Sequence, residues 1–234
     1  RLLVVLGGGE SGVGAAILGK QKGFEVLVSD KGLVAKKYKD VLLQHHINFE
    51  EGKHSENNIL KASLIVKSPG IPDSVPLVVK LKEKGINVIS EIEFAAKYTT
   101  ANLVGITGSN GKTTTALLTQ FILKNAEINS GIAGNIGDSF AKQVATQSYE
   151  NYVLELSSFQ LDGIVDFNSH IAILTNITPD HLDRYEDDFN QYIESKFRIT
   201  KNQTASDYLI YDADDTTINA WLQKHSTKAG LIPL

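Results

Sequence analysis

The segment GITGSNGKTTT, Gly105 to Thr115, has the residue types of a phosphate-binding loop. Gly108 and Gly111 let the backbone turn its N–H groups inward, with Ser109 and Asn110 between them. A helix starting after Gly111 would present its positive N-terminus to an anion. Lys112 can then reach terminal phosphates and the Thr113 hydroxyl can hold Mg²⁺, with Thr114 beside it. The strict G-x-x-x-x-G-K-[ST] pattern fails, because Ile106 stands where its first glycine belongs. The plainer reading is a Gly-rich turn followed by a chance Lys-Thr pair. A second cluster, GGGESG, fits G-x-G-x-x-G through Gly7, Gly9 and Gly12, and Asp30 follows near the ~20-residue offset of an acid that contacts a ribose. Alone, that cluster is compatible with a nucleotide diphosphate on a helix N-terminus or with a purely structural turn.

Three further segments carry chemistry-bearing side chains. YVLELSSFQLD places Glu155 in an otherwise apolar run, followed by Ser157, Ser158 and Gln160. A carboxylate on a buried strand must be paired or bind a metal. ILTNITPDHLDRY places Asp180, His181, Asp183 and Arg184 in a loop after a strand. Glu155 and His181 are thus candidate Mg²⁺ ligands, although a lone loop histidine is more simply a satisfied polar residue. YIESKFRI puts Lys196 and Arg198 on a helix, where charges ordinarily form a solvated face.

The elements that must position these groups are short apolar strands alternating with helices. Residues 1–7, 24–30, 63–68 and 86–90 read as strands, with helices after Gly12, over 38–46 and over 76–84. A second series follows polar residues 97–102. It has strands at 103–108, 129–134, 152–158, 170–176 and 208–214, and helices at 111–126, 138–147, 188–200 and 215–225. Continuous rather than alternating apolarity means strands covered on both faces, hence parallel α/β sheets. Two domains are expected, 1–97 and 98–234, the second with a five-stranded sheet. In open α/β sheets ligands bind beyond the carboxyl ends of the strands, so the motifs should converge there.

Composition bounds the rest. The 234 residues carry 23 Lys+Arg and 27 Asp+Glu, with 42% hydrophobic and 21% charged residues, the balance of a globular protein. The net charge of −4 argues against a nucleic-acid or membrane-surface binder. No cysteine is present, which excludes disulfides, thiolate metal sites and a thiol nucleophile. No apolar run approaches a membrane span and none resembles a secretory leader, so a cytoplasmic location is expected.

Together these residues resemble the Mur ligase family, the ATP-dependent amide ligases of peptidoglycan synthesis. TGSNGKTTT carries the general resemblance, in the family's shorter loop form. ELSSFQLD, NITPDHLDRY, AGNIG (133–137), KSPGIP (67–72) and SEIEF (90–94) point to the branch that adds D-glutamate. The resemblance implies a Rossmann-like domain that binds a UDP substrate, followed by a P-loop-type ATP-binding central domain, here incomplete, with a closing C-terminal domain absent. It implies UDP-N-acetylmuramoyl-L-alanine, D-glutamate and ATP as partners, two Mg²⁺ ions and a monomer.

Gly7, Gly9, Ser11, Gly12, Asp30, Ser68, Pro69 and Gly70 would hold the uridine diphosphate part. Asn135, Gly137, Ser157 and Gln160 would lie near the diphosphate or muramoyl part. Residues 108–114 would bind ATP phosphates, and Thr113, Glu155 and His181 would place the metal ions. Lys196 matches a lysine that the family carbamylates to support the second ion, a reaction that a lowered lysine pKa would favour. Two other readings stand beside this one: a nucleotide-binding sensor without chemistry, and an NAD-dependent oxidoreductase based on Gly7–Gly12 alone.

Overall fold

Apolar, largely β-branched runs make β1 (Leu2–Leu6), β2 (Glu25–Ser29) and β4 (Leu64–Lys67) the inner strands of the first sheet, with the short β3 (Asn48–Glu50) and β5 (Val88–Ser90) at its edges. The computed structural model, which describes every residue from Arg1 to Leu234, pairs them all in parallel in the order β3-β2-β1-β4-β5. Helices α1 (Glu10–Gln21), α2 (Lys36–Gln44), α3 (Glu56–Ile59), α4 (Pro76–Glu83) and α5 (Glu91–Ala96) connect or follow the strands. Val4, Leu6, Ile65, Val78 and Leu81 are fully or almost fully buried between sheet and helices.

The second series runs β6 (Asn102–Thr107), α6 (Lys112–Asn125), β7 (Ser130–Gly134), α7 (Phe140–Thr146), β8 (Asn151–Glu155), α8 (Ser158–Asp162), β9 (Ile171–Leu174), α9 (Phe189–Phe197), β10 (Tyr208–Tyr211), α10 (Thr216–Lys224) and β11 (Gly230–Pro233). Its sheet is also parallel, in the order β11-β10-β9-β6-β8-β7. Six strands replace the five expected. β11 escapes an apolar-pattern reading because GLIP is a mostly exposed edge strand, without the buried apolar run that marks the others. β6 lies between β8 and β9, which brings the ends carrying the phosphate loop, Glu155 and the Asn176–His181 loop side by side.

Two compact units result: 1–99 with 138–148 and 163–165, and 100–137 with 149–162 and 166–234. The sequence reading assigned all of 98–234 to one domain. α7 departs from it, because α7 packs against α1 and α5. The approach depends on Gly14, where an added Cβ would stand 1.8 Å from Ser139 Oγ. Ser139 caps α7 by accepting from the Lys142 N–H at 3.1 Å. Buried Glu91 accepts the Ala141 N–H, and buried Glu93 accepts the Val165 N–H at 2.8 Å. The carboxylates of SEIEF therefore hold backbone from the later chain.

Candidate functional site

In the second unit the loop between β6 and α6 has the geometry of an anion cradle. Gly111, φ 81°, is the left-handed N-cap of α6, a conformation that glycine adopts without a Cβ penalty. Gly108 has φ 146°, and a Cβ there would meet Thr175 Oγ1 at 2.0 Å. The first-turn N–H groups of α6 lack internal acceptors, as in any α-helix, and no acidic side chain lies in that turn. Lys112 folds over the loop, its Nζ donating to Gly108 O at 2.9 Å and Ser109 O at 2.8 Å.

Asn176 shapes the loop, a role the sequence reading did not assign. Its backbone O accepts from Ser109 N at 2.9 Å, its Oδ1 accepts from Asn110 N at 2.9 Å, and its Nδ2 donates to Asn110 O at 3.0 Å. Those two loop N–H groups are thus spent on protein, and the groups left for phosphate begin at Gly111. The only sequence signal was the polar pair Asn176–Thr178 directly after a strand.

Glu155 is 1% exposed. Its Oε2 accepts from Thr113 Oγ1 at 2.7 Å and its Oε1 from Asn135 Nδ2 at 2.9 Å. Asn135 also donates its backbone N–H to Glu155 O, so it positions the carboxylate. Gly137 follows with a left-handed φ of 71°. Ser157 and Gln160 form a capping box at the start of α8: Ser157 N and Oγ both donate to Gln160 Oε1, and Gln160 N donates back to Ser157 Oγ at 3.3 Å. That reciprocal pair satisfies two helix-end donors and gives ELSSFQ a structural role besides any ligand contact.

Lys196 is 2% exposed, which overturns the solvated-face reading. Its Nζ donates to Gly108 O at 2.8 Å and to Thr107 Oγ1 at 3.4 Å. Burial, with Lys112 second, pulls its pKa down to about 7, against the opposing pull of Asp180, Asp162 and Glu155. His181 makes no hydrogen bond or ion pair with Thr113, Glu155 or Lys196; its one ion-pair contact is with Asp180. Its exposed ring lies 3.5 Å from Asp180 and 5.4 Å from the Phe159 ring centroid. Nowhere do three or more acidic or histidine side chains converge as a ready metal cage. Thr113 and Glu155 do offer a hydroxyl and a carboxylate side by side at the loop, a donor set that fits one hard cation.

In the first unit, α1 begins at the end of β1 with Gly9 as N-cap, so the N–H groups of Glu10, Ser11 and Gly12 form a helix N-terminus suited to a diphosphate. Gly12 brings α1 close enough that a Cβ would lie 1.9 Å from Gly7 O. Gly7 N donates to Ser29 O. Asp30 serves the loop itself, accepting from Gly8 N at 2.6 Å and Gly32 N at 2.8 Å. Ser68 Oγ is buried without a hydrogen-bond partner, and Pro69 and Gly70 continue the turn that leaves β4.

The sequence of the Mur ligase middle domain matches residues 106–232, and that of the MurD-like N-terminal domain matches residues 1–90. The UDP-N-acetylmuramoylalanine--D-glutamate ligase of Christiangramia forsetii is 58% identical over 100% of the chain, and that of Bacteroides thetaiotaomicron is 56% identical. The chain covers 52% of the length of each of these relatives. Among solved structures, the UDP-N-acetylmuramate:L-alanyl-γ-D-glutamyl-meso-diaminopimelate ligase of Neisseria meningitides aligns over 99% of this chain and 77% of its own, with a TM-score of 0.68 and 19% identity. The UDP-N-acetylmuramate-alanine ligase of Thermotoga maritima aligns over 94% of this chain and 50% of its own, with a TM-score of 0.59 and 20% identity. These two support the fold alone. With the middle-domain model spanning more than half of its length and the N-terminal model most of the remainder, the chain belongs to the Mur ligase family.

Proposed function

We propose that this chain carries the nucleotide-binding parts of an ATP-dependent ligase that joins D-glutamate to UDP-N-acetylmuramoyl-L-alanine in the cytoplasm. The observation that carries the reading is the grouping of Lys112, Thr113, Glu155 and Lys196 around the start of α6. The substrate follows from the relatives' names, and the first unit's helix N-terminus with the partnerless Ser68 hydroxyl suits its diphosphate. No helix is long and apolar enough to cross a membrane.

The alanyl carboxylate attacks the γ-phosphorus of ATP, forming a C–O–P bond as the bond to ADP breaks. The D-glutamate amine then attacks the acyl carbon, loses a proton and displaces phosphate, leaving an amide. The physical demand is to bring two anions together. Lys112 and the free N–H groups of Gly111–Thr114 stabilise the charge that spreads over the transferring phosphoryl group. Thr113 and Glu155 would hold a Mg²⁺ that neutralises phosphate charge when bound. Asn135 fixes the Glu155 carboxylate for that task.

The carbamate at Lys196 belongs to the same reading. The neutral amine adds to CO₂, forms an N–C bond and releases a proton, which turns a cation into a carboxylate. A pKa near 7 keeps an appreciable neutral fraction for this step. In the same reading His181 would help place a metal ion, and no step is assigned to it.

The test is Lys112→Ala in the full-length protein. Ligation should fall by roughly 10²–10³-fold, the scale of a lost oxyanion donor, while titration with the UDP substrate stays within about twofold of wild type. Equal loss of both would overturn the assignment.

A further inference from the structure

Helix α9 grips the phosphate loop with two side chains one turn apart. Lys196 Nζ donates to Gly108 O, and Tyr192, four residues earlier on the same face, reaches Ser109 at 3.1 Å. The proton of that second contact can be assigned. Ser109 Oγ lies 2.8 Å from Thr178 O, which can only accept, and 2.9 Å from Thr178 N, which can only donate. The single Ser109 proton is therefore spent on Thr178 O, and the hydroxyl has one lone pair left. Tyr192 must be the donor. Burial pushes the Tyr192 hydroxyl's pKa up and Asp180 adds to it; the phenol keeps the proton it donates. The same ring lies 5.1 Å beneath Lys196 Nζ.

We propose that Tyr192 is a positioning residue for nucleotide phosphates: it donates its hydroxyl proton to Ser109 and holds the phosphate loop against the helix that carries Lys196. Ser109 sits between Gly108 and Asn110, whose backbone is fixed by Thr175 and Asn176. Without Tyr192 the Ser109 side chain keeps its bonds to Thr178 but loses its tie to α9. The first-turn N–H groups that follow would then face the phosphates less well ordered. The proposal rests on the ATP reading above.

The experiment is a double-mutant cycle in the full-length protein, with MgATP affinity measured by titration and by KM. Tyr192→Phe keeps the ring over Lys196 and removes only the hydroxyl. It should weaken MgATP about tenfold, the size of one hydrogen bond, with binding of the UDP substrate unchanged. In a Ser109→Ala background the same change should cost nothing more, because the acceptor is already gone. Wild-type MgATP affinity in Tyr192→Phe, or a full additional tenfold loss in the Ser109→Ala background, would overturn the proposal alone. A wild-type protein that binds no MgATP would overturn the ligase reading and this proposal with it.

Discussion

A buried lysine beside another lysine needs a reason, and the proposed carbamate would supply one for Lys196 by reversing its charge. As an ammonium it is opposed by Lys112, and in the proposed reading it would also lie beside a bound Mg²⁺. At ~4 Å and an effective dielectric near 20, each unit-charge repulsion costs on the order of 4 kcal/mol. In the full-length protein, Lys196→Ala should abolish ligation, and short-chain carboxylates such as acetate should restore part of it by standing in for the carbamate. Lys196→Arg should remain inactive despite its retained charge. A wild-type rate in Lys196→Arg would make this residue an ordinary cation. Part of this was readable beforehand: Lys112, Thr113 and Glu155 could be named from type and spacing. Asn176 and Tyr192 could not, because their partners lie in the phosphate loop more than 60 residues away, and no local pattern encodes such a pairing.

Helices α5 and α7 meet through a carboxylate that water does not reach. Burial, opposed by the Ala141 N–H and reinforced by Glu10, raises the Glu91 pKa to about 7 from its ordinary 4.5. An acid whose folded pKa is raised contributes stability fully below the unfolded value and loses that contribution as pH climbs to the folded one. Between pH 4.5 and 7 the protein should therefore lose up to about 3 kcal/mol through this group. Glu91→Gln keeps an acceptor for Ala141 and cannot ionise, so denaturant titrations should show that decline flattened. An unchanged pH profile would mean that Glu91 is charged without cost. These elements also mark the limit of reading from pattern. The buried runs of β1, β2 and β4 announced themselves. α5 did not, because two acids in six residues resemble a solvated turn. Nor did β3, whose three residues are exposed or half-buried.

At the scale of the whole molecule, chain order and packing disagree. The parallel α/β architecture and the two glycine loops at strand–helix junctions followed from apolar runs and glycine spacing. The allegiance of α7 rested on the missing side chain of Gly14 and on backbone bonds to Glu91, none of which a linear reading weights. A polypeptide ending at Lys97 would lack α7 and with it the buried Phe140 side chain, whose burial contributes roughly 1.5–3 kcal/mol. It would also leave Glu91 and Glu93 without their backbone donors. Residues 1–97 alone should therefore unfold at clearly lower denaturant than the same residues in the intact chain, as hydrogen exchange on β1 and β4 would reveal. Equal protection in both would show that α7 is dispensable.

The Gly14–Ser139 contact also constrains how such a protein can change by inheritance. A crossover between diverged relatives at residue 97 would give α1 from one parent and α7 from the other. Any parent with a side chain at position 14 would then drive it into Ser139, which lies 1.8 Å from where that Cβ must stand. The stretch of gene that can be exchanged intact is therefore longer than the first glycine loop and its sheet suggest, and reaches at least as far as the codons for α7.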